Sequence, residues 1–306
     1  MNLTYIYFIL LGLFWGSNFV YMKLASEFIT PAQITLLRVF FGFLPLALVA
    51  WRKGVISRGQ MRYVPHFLVM AVLATAVYYF AIAKGTALLP SGVAGVLGGS
   101  IALFTTIAAL LFLRTEKLNG LMAAGVVLGF AGIVLIARPW EGADRTIDIA
   151  GVFWMLAATT ILGLSYVYVR RFLSPLDLPP LALATWQTGL ALLLLVIVTD
   201  RTGMEHILRD WHAAAGVAVG LGVLGTGTAF LIYYFLLQEL GAVAASAATY
   251  ITPIVALLIG WAAGEAVGLL EMAAVALILA SIAMLQVGRR RAAREADRPI
   301  HDAARP

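Results

Sequence analysis

Long stretches without a charged residue are the feature that most limits how this chain can fold. A bilayer core about 30 Å thick needs roughly 20 consecutive apolar residues in a helix. Nine windows of about this length carry no charge, and a tenth carries only Arg38. We therefore predict ten transmembrane helices, at residues 3–22, 31–51, 63–83, 85–113, 118–137, 149–169, 178–199, 211–238, 240–264 and 272–288.

The composition excludes a soluble globular domain. Of the 306 residues, 62% are hydrophobic and 12% are charged, and the mean hydropathy is +0.96. In soluble domains about 45–50% of the residues are apolar and about 25% are charged. The fold class is therefore an all-α membrane protein. The chain has no cysteine, which excludes disulfides and cysteine-bound metals, and its four histidines lack metal-ligand spacing. We expect neither a cofactor nor a metal.

The distribution of positive charge predicts the orientation in the membrane. With the N-terminus inside, 14 of the 21 Lys and Arg residues lie on inner loops and the tail, and six lie outside. Cytoplasmic loops carry such an excess, so both termini are expected in the cytoplasm. The basic tail, residues 289–306, follows the last window directly, and anionic lipid headgroups rather than nucleic acid are its expected partner. A signal peptide has Lys or Arg ahead of its apolar stretch, and none precedes the first window here. We therefore expect this span to be retained.

Two sequence correspondences at nearly equal spacing divide the chain into similar halves. "WGSNFVYMK", from Trp15, aligns with "LGLSYVYVR", from Leu162, at a spacing of 147. Residues 116–133 align with 265–282 at a spacing of 149. We infer a duplicated unit of five helices, covering 1–140 and 149–288. An odd number of spans turns the second copy over in the membrane, which is the inverted-repeat plan of many secondary transporters.

These features together resemble one transporter family. They are the five-plus-five helices, the first-helix stretch "LFWGSNFVYMK", Pro31 opening helix 2 with Arg38 inside it, and "RTEKL" and "AGEAV" after helices 4 and 9. Over residues 3–288 the chain resembles the EamA-type branch of the drug/metabolite transporter superfamily. The resemblance implies export of small organic solutes, such as amino acids, across a bacterial inner membrane. The second half departs from the first, with Gln187 at the position of Arg38 and Ser165 at that of Asn18.

Polar residues inside the windows are the candidates for a substrate site, because lipid cannot satisfy polar groups. In helix 1, Trp15, Asn18 and Met22 share one face, at spacings of three and four. A ring, an amide and a thioether would form a wall for an amphiphilic substrate. The alternative is that Asn18 only bonds a neighbouring helix. The further cavity candidates are Tyr78, Tyr79, Ser100, Ser165, Gln187, Thr228 and Tyr250.

Charged and aromatic residues near the helix ends suggest other roles. Arg38 lies about 12 Å into helix 2, where it either anchors a substrate carboxylate or plays a structural role by snorkelling or bonding carbonyls. Glu116 and Glu265 end corresponding helices on opposite membrane faces, as a pair of gate or helix-capping residues. Tyr233 and Tyr234 lie close to a helix end and are expected in the interfacial aromatic belt.

The sequence predicts a secondary transporter that works by alternating access around a central cavity, and not an enzyme. No Asp, Glu or His lies near the middle of a window, whereas proton-coupled multidrug pumps need a titratable group there. Amino acids or other neutral or zwitterionic amphiphiles are therefore the expected substrates. A drug or toxic-compound efflux carrier of the same fold, and a membrane channel or scaffold, stay open as alternatives. A monomer is one option for the oligomeric state, which the sequence does not fix.

Overall fold

Helices make up the fold. The computed structural model describes residues 3–113, 118–141, 147–266 and 268–296, without the side chains of 240–247 and 293–296. These ranges contain no β-strand; nine of their helices are long and apolar enough to cross a membrane, and one further apolar helix, α9, is shorter. The helices are α1 (Thr4–Ala25), α2 (Pro31–Arg52), α3 (Arg58–Leu88), α4 (Ser91–Phe112), α5 (Gly120–Ala137), α6 (Ile149–Leu176), α7 (Pro180–Val198), α8 (Trp211–Glu239), α9 (Ala248–Ala262) and α10 (Leu269–Ala292).

Ten successive spans alternate in direction. The start of α1 and the end of α10 therefore lie on the same side of the bundle, which we term the terminal face. The side on which α2 and α8 begin is the opposite face. These two terms describe the protein without reference to the cell, and they fix which end of each helix is near which surface.

The boundary between α3 and α4 differs from the predicted one. The charge-free windows place it at Lys84, whereas α3 continues to Leu88 and α4 begins at Ser91. Leu89 is extended, with φ −119° and ψ 160°, because a residue before proline disfavours the helical region and Pro90 has no N–H to donate. A single lysine in the last turns of a helix is thus a poorer boundary signal than proline.

The start of α2 joins the two halves. Thr30 Oγ1 accepts a hydrogen bond from Gln33 N at 3.4 Å, and Gln33 Oε1 accepts one from Thr30 N at 3.0 Å. With Pro31 at the first helical position, this is a complete capping box. Gln33 Nε2 also donates to the carbonyls of Asp200 and Thr202, each at 2.9 Å. One side chain therefore begins the helix and holds it to the loop before α8.

A carboxylate from the second half caps the start of α4. Glu265, just after α9, accepts hydrogen bonds from Ser91 N at 2.6 Å and Gly92 N at 2.8 Å. The free N–H groups and partial positive charge at a helix start favour a carboxylate there. A Cβ at Gly260 would lie 2.4 Å from Glu265 Oε2, so a glycine is needed where the carboxylate passes. The corresponding Glu116 lies outside the described residues.

Three of the described helices contain segments whose hydrogen bonds run from residue i to residue i+5. One is Val169–Leu173 in α6, and the other two lie at corresponding positions of the sequence. These two wide-turn segments are Ala71–Val77 in α3 and Gly216–Thr228 in α8. Shifted by 150, the first becomes 221–227, which falls inside the second. Widened turns of this kind are rare and occur frequently at functional sites. The segment in α8 packs along α2, and the segment in α3 packs along α7.

The last helices of the two halves pack along a glycine face. Cβ atoms at Gly125, Gly129 and Gly132 of α5 would lie 3.1, 2.7 and 2.8 Å from side-chain atoms of α10. Ser281 Oγ of α10 donates to the Gly125 carbonyl at 2.6 Å. Small residues allow membrane helices to approach this closely, and the gain is dispersion contact together with the interhelical hydrogen bond.

Replacing Glu265 tests the cap between the halves. We expect Glu265→Ala to lower the free energy of unfolding by about 1–2 kcal/mol, the usual cost of losing an N-terminal cap, seen as a lower denaturation midpoint in detergent. Glu265→Gln retains one acceptor oxygen, so its free energy of unfolding should lie between those of the unaltered protein and Glu265→Ala. Glu205, which is exposed between α7 and α8, provides the control Glu205→Ala. Equal losses in the two alanine variants would contradict the cap.

Candidate functional site

One arginine lies inside the bundle. Arg38 is seven residues after Pro31, about 10 Å from the opposite face, and is only 5% exposed. A guanidinium at such a position costs at least about 2.5 kcal/mol, unless protein groups or water satisfy it. Its neighbours therefore define the first polar site to consider.

Three helices supply the partners of Arg38. Its Nε donates to Thr226 Oγ1 of α8 at 3.0 Å, and its Cζ lies 3.9 Å from the ring centroid of Tyr79 of α3, a cation–π distance. From α1, Met22 Sδ lies 3.9 Å from Nη1, and the Asn18 side-chain oxygen accepts from Nη2 at 3.1 Å. All four partners are neutral, so none of them compensates the positive charge.

The orientation of the Asn18 amide is assigned from its neighbours. With the oxygen towards Arg38, the amide nitrogen donates to the Phe14 carbonyl at 3.1 Å, and the residue is 4% exposed. A Cβ at Gly225 would lie 2.0 Å from a terminal atom of this amide. Glycine is therefore required where α8 crosses α1. Asn18 forms its interhelical bond with the buried arginine itself.

Arg38 has no carboxylate partner in the part of the chain that the structure describes. The guanidinium carries five N–H donors, and the contacts above occupy three at most. At least two donors remain for a further acceptor. The ion pairs within the described ranges lie at helix ends and in loops; they join Arg138 to Glu141 and to Glu271, and His212 to Asp210.

The second half repeats this contact with a neutral side chain. Gln187 of α7, at a spacing of 149 from Arg38, is 7% exposed, and its Nε2 donates to Thr75 Oγ1 of α3 at 2.8 Å. Thr75 and Thr226 each lie in a wide-turn segment. The second helix of each half is therefore bonded to a threonine in the third helix of the other half. We term Arg38–Thr226 and Gln187–Thr75 the crossed contacts.

Five tyrosines from three helices lie near one another, and one of them, Tyr79, contacts the guanidinium. Tyr166 interacts electrostatically with the other four. It is nevertheless 48% exposed, so part of its surface is accessible beside these phenols. The members of this tyrosine cluster are Tyr78, Tyr79, Tyr166, Tyr233 and Tyr234.

The cluster connects the predicted residues of α1 and α3. The Trp15 ring lies 5.8 Å from that of Tyr233, and the Tyr78 and Tyr79 rings are 5.2 Å apart. Tyr233 and Tyr234 belong to this cluster and not to the expected interfacial belt. Helical backbone continues beyond the end of α8 as far as Ser246, so both tyrosines lie farther from a helix end than the charge at position 239 suggests.

Four predicted cavity residues lie elsewhere. Ser100 Oγ donates to Thr159 Oγ1 at 3.1 Å, between α4 and α6, and Ser165 bonds a carbonyl of its own helix. Thr228 borders a groove of about 370 Å³ between α1 and α8. The Tyr250 hydroxyl is buried and has no hydrogen-bond partner within the described ranges. The remaining predicted residue outside the cluster, Gln187, forms the second crossed contact.

The predicted cavity set omits four residues of the site, Thr226, Tyr166, Tyr233 and Tyr234. The repeat favours Thr228, which lies 150 residues after Tyr78, whereas the structure places Thr226 against Arg38. The regular 100° spacing of an α-helix does not hold in a widened turn, so the repeat spacing does not fix which threonine reaches the arginine. Tyr166 aligns with Phe19 in the first half, so the repeat marks it only as an aromatic position.

Comparison with known proteins agrees with a membrane transporter. Residues 2–138 and 149–287 match the EamA-like transporter family. The uncharacterised transporter YoaV of Bacillus subtilis is 24% identical over 250 residues, 81% of this chain and 84% of that protein. A probable terminal-alkyne amino-acid exporter of Streptantibioticus cattleyicolor is 24% identical over 284 residues, 91% and 93% of the two chains. A protein crystal structure with 20% identity superposes with a TM-score of 0.60 over 94% of this chain and 98% of its own, which shows a shared fold.

Removing the Thr226 hydroxyl tests the first crossed contact. Thr226→Val preserves the shape but leaves a buried guanidinium N–H without its acceptor, which costs about 1–3 kcal/mol and should lower the denaturation midpoint. Thr226→Ser should recover most of the loss. Thr86 is equally buried, but its hydroxyl bonds only the Ile82 carbonyl of its own helix, so Thr86→Val is the matched control. Indistinguishable midpoints for the two valine variants would show that the Arg38 bond contributes nothing.

Proposed function

The chain belongs to the EamA-like transporter family, and on that premise we propose that it carries small amphiphilic metabolites across the membrane by alternating access. The observation that supports this most directly is the 48% exposure of Tyr166 in a cluster whose Tyr79 contacts the buried Arg38. We infer that the exposed surface of Tyr166 borders an interior space between α3, α6 and α8. Carriers with inverted repeats bind substrate near the membrane midplane, between their halves. Arg38 of the first half and Thr226 of the second half meet beside this space.

The crossed contacts supply a means of alternation. Arg38–Thr226 lies about 10 Å from the opposite face, and Gln187 lies as far along α7 from the terminal face, by seven residues of helix in each case. Each contact ties one half to the other near one membrane surface. Opening of one contact while the other holds would expose the interior space to one side only. Both contacts are formed in this conformation.

The tyrosine cluster suggests the chemical class of the substrate. Ring faces take up the apolar part of a ligand, and phenol hydroxyls take up its polar groups. The described residues of the cluster include no acid that would hold an organic cation, which disfavours efflux of cationic drugs. Amino acids and other neutral or zwitterionic amphiphiles suit such a site. The name of the Streptantibioticus relative, a probable amino-acid exporter, supports this class.

The cellular setting follows from the charge distribution. We place the protein in a bacterial inner membrane with the terminal face in the cytoplasm, because the loops and tail on that face hold most of the positive charge. The family resemblance and the name of the Streptantibioticus relative support export from the cytoplasm. One chain contains both halves of the interior space, so a monomer suffices for this activity.

Counterflow in proteoliposomes tests the carrier. Vesicles loaded with unlabelled L-phenylalanine, a small amphiphilic amino acid, should take up labelled L-phenylalanine faster than empty vesicles, with a rate that saturates. A rate linear in concentration and indifferent to the internal load would identify a channel. Exchange of tetraphenylphosphonium in place of the amino acid would favour the drug-efflux alternative.

Tyr166→Ala should slow this counterflow about tenfold, equivalent to about 1.4 kcal/mol of lost substrate contact. The denaturation midpoint should change little, because half of the side chain makes no packing contact. Tyr5, which is 65% exposed near the start of α1, gives the control Tyr5→Ala, with an unchanged rate. A Tyr166→Ala rate equal to that of the control would separate Tyr166 from the transport pathway.

A further inference from the structure

We infer that Arg38 selects substrates that carry a carboxylate and no ammonium group, so that the carrier prefers apolar-tailed monocarboxylates, aromatic ones above all, to zwitterionic amino acids. This inference rests on the proposed function, the carriage of small amphiphilic metabolites, and gives it an anionic substrate class in place of the neutral or zwitterionic one named there. It departs from the zwitterionic class that the sequence favours.

The argument begins with the charge of Arg38. Buried charges in proteins are paired, because desolvation of an isolated ion is costly. Thr226, Asn18, Met22 and Tyr79 supply only neutral contacts. The ion pairs recorded among the described residues do not include Arg38. A bound carboxylate would supply the missing negative charge, and the planar guanidinium matches it in a two-bond arrangement.

The site offers no comparable partner for an ammonium group. In an α-amino acid the ammonium lies next to the carboxylate, so a carboxylate on Arg38 would place a second positive charge beside the guanidinium. Like charges at this separation repel, and the surrounding described groups, phenol hydroxyls and ring faces, provide no full negative charge. A carboxylate without an ammonium neighbour forms the same bonds to Arg38 without that repulsion.

The tyrosine cluster accounts for the apolar tail. Tyr78 lies within electrostatic range of Arg38 and of Tyr166, so the phenols extend from the guanidinium to the interior space. Trp15 adds an indole ring at the far side, against Tyr233. Aromatic faces of this kind prefer offset or edge contacts with another ring. A substrate with one ring at the end of a short chain would place that ring against the cluster while its carboxylate bonds Arg38.

Tyr79 packs against the guanidinium. Its ring centroid lies 3.9 Å from Arg38 Cζ, and the ring is itself buried. The N–H donors of a guanidinium lie in its plane, so a ring over the face leaves them to a carboxylate and the cation–π contact can be kept. The neutral contacts therefore hold Arg38 while no substrate is bound.

Four ligands that share a phenyl ring on a three-carbon chain test the inference on the purified full-length protein. They are 3-phenylpropanoate, an anion; L-phenylalanine, a zwitterion; 3-phenylpropanamide, neutral; and 3-phenylpropylamine, a cation. The anion should raise the denaturation midpoint most, since a ligand stabilises the state that binds it. It should also half-saturate counterflow at a concentration about tenfold below that of L-phenylalanine.

Variants tie this preference to the guanidinium. In Arg38→Gln the anion should lose its advantage over the amide, and Arg38→Lys should retain part of it. Arg62, exposed in the first turns of α3 and stacked on Tyr63, gives the control Arg62→Gln, with the ligand order unchanged. If Arg38→Gln does not fold, the ligand order of the unaltered protein and of Arg38→Lys decides.

The outcomes separate this inference from the proposed function. Counterflow of L-phenylalanine that equals or exceeds that of 3-phenylpropanoate overturns the inference and leaves the carrier intact. A preference for the anion that persists in Arg38→Gln also overturns it. Absence of counterflow with every ligand, L-phenylalanine included, overturns the inference and removes the support for an amphiphile carrier.

Discussion

A guanidinium inside a membrane protein imposes demands on everything around it, and Arg38 shows how this bundle meets them. The arginine obtains an amide oxygen from α1, a hydroxyl from α8 and a ring face from α3. For the hydroxyl to reach it, α8 must pass so close to α1 that only a glycine fits at Gly225. Helix spacing, glycine position and the local widening of α8 thus serve one buried charge.

The crossed contacts show how the two halves of the chain, predicted from the sequence to be copies of one unit, differ in their chemistry. Both link the second helix of one half to the third helix of the other, and both end on a threonine in a widened turn. The difference is the donor. Arg38 brings a charge that its neighbours do not neutralise, whereas Gln187 is satisfied by a neutral hydroxyl. An anionic group would therefore be held at one level of the bundle and not at the other.

Much of the fold follows from simple sequence rules, because lipid penalises every unsatisfied polar group. Charge-free length predicts the helices, and the resemblance to EamA-type transporters is confirmed by the family match. The boundary at Leu89 and Pro90 is missed because a charge-based criterion ignores backbone conformation. The division into two inverted halves and the cytoplasmic location of the termini stay predictions.

The site was predictable only in part. Asn18, Met22 and Arg38 are recognisable as polar or soft groups inside apolar helices, and the structure places them together. Thr226 and Tyr166 depend on tertiary features, a widened turn and an interior space, that leave no periodic signal. Tyr233 shows the limit of a rule based on distance from the helix end, since that end is set by backbone hydrogen bonds beyond the last charge.

The unequal wide-turn segments have a geometric consequence for α8. Adding or removing one residue from a widened turn rotates every later side chain by about 100° about the helix axis. Tyr233 and Tyr234 differ by that same angle, so a shift of one residue within Gly216–Thr228 would bring one of them to the angular position that the other now occupies. The 13-residue segment of α8 has more room for such a shift than the 7-residue segment of α3. The helix can thus change the surface that it presents without moving its axis.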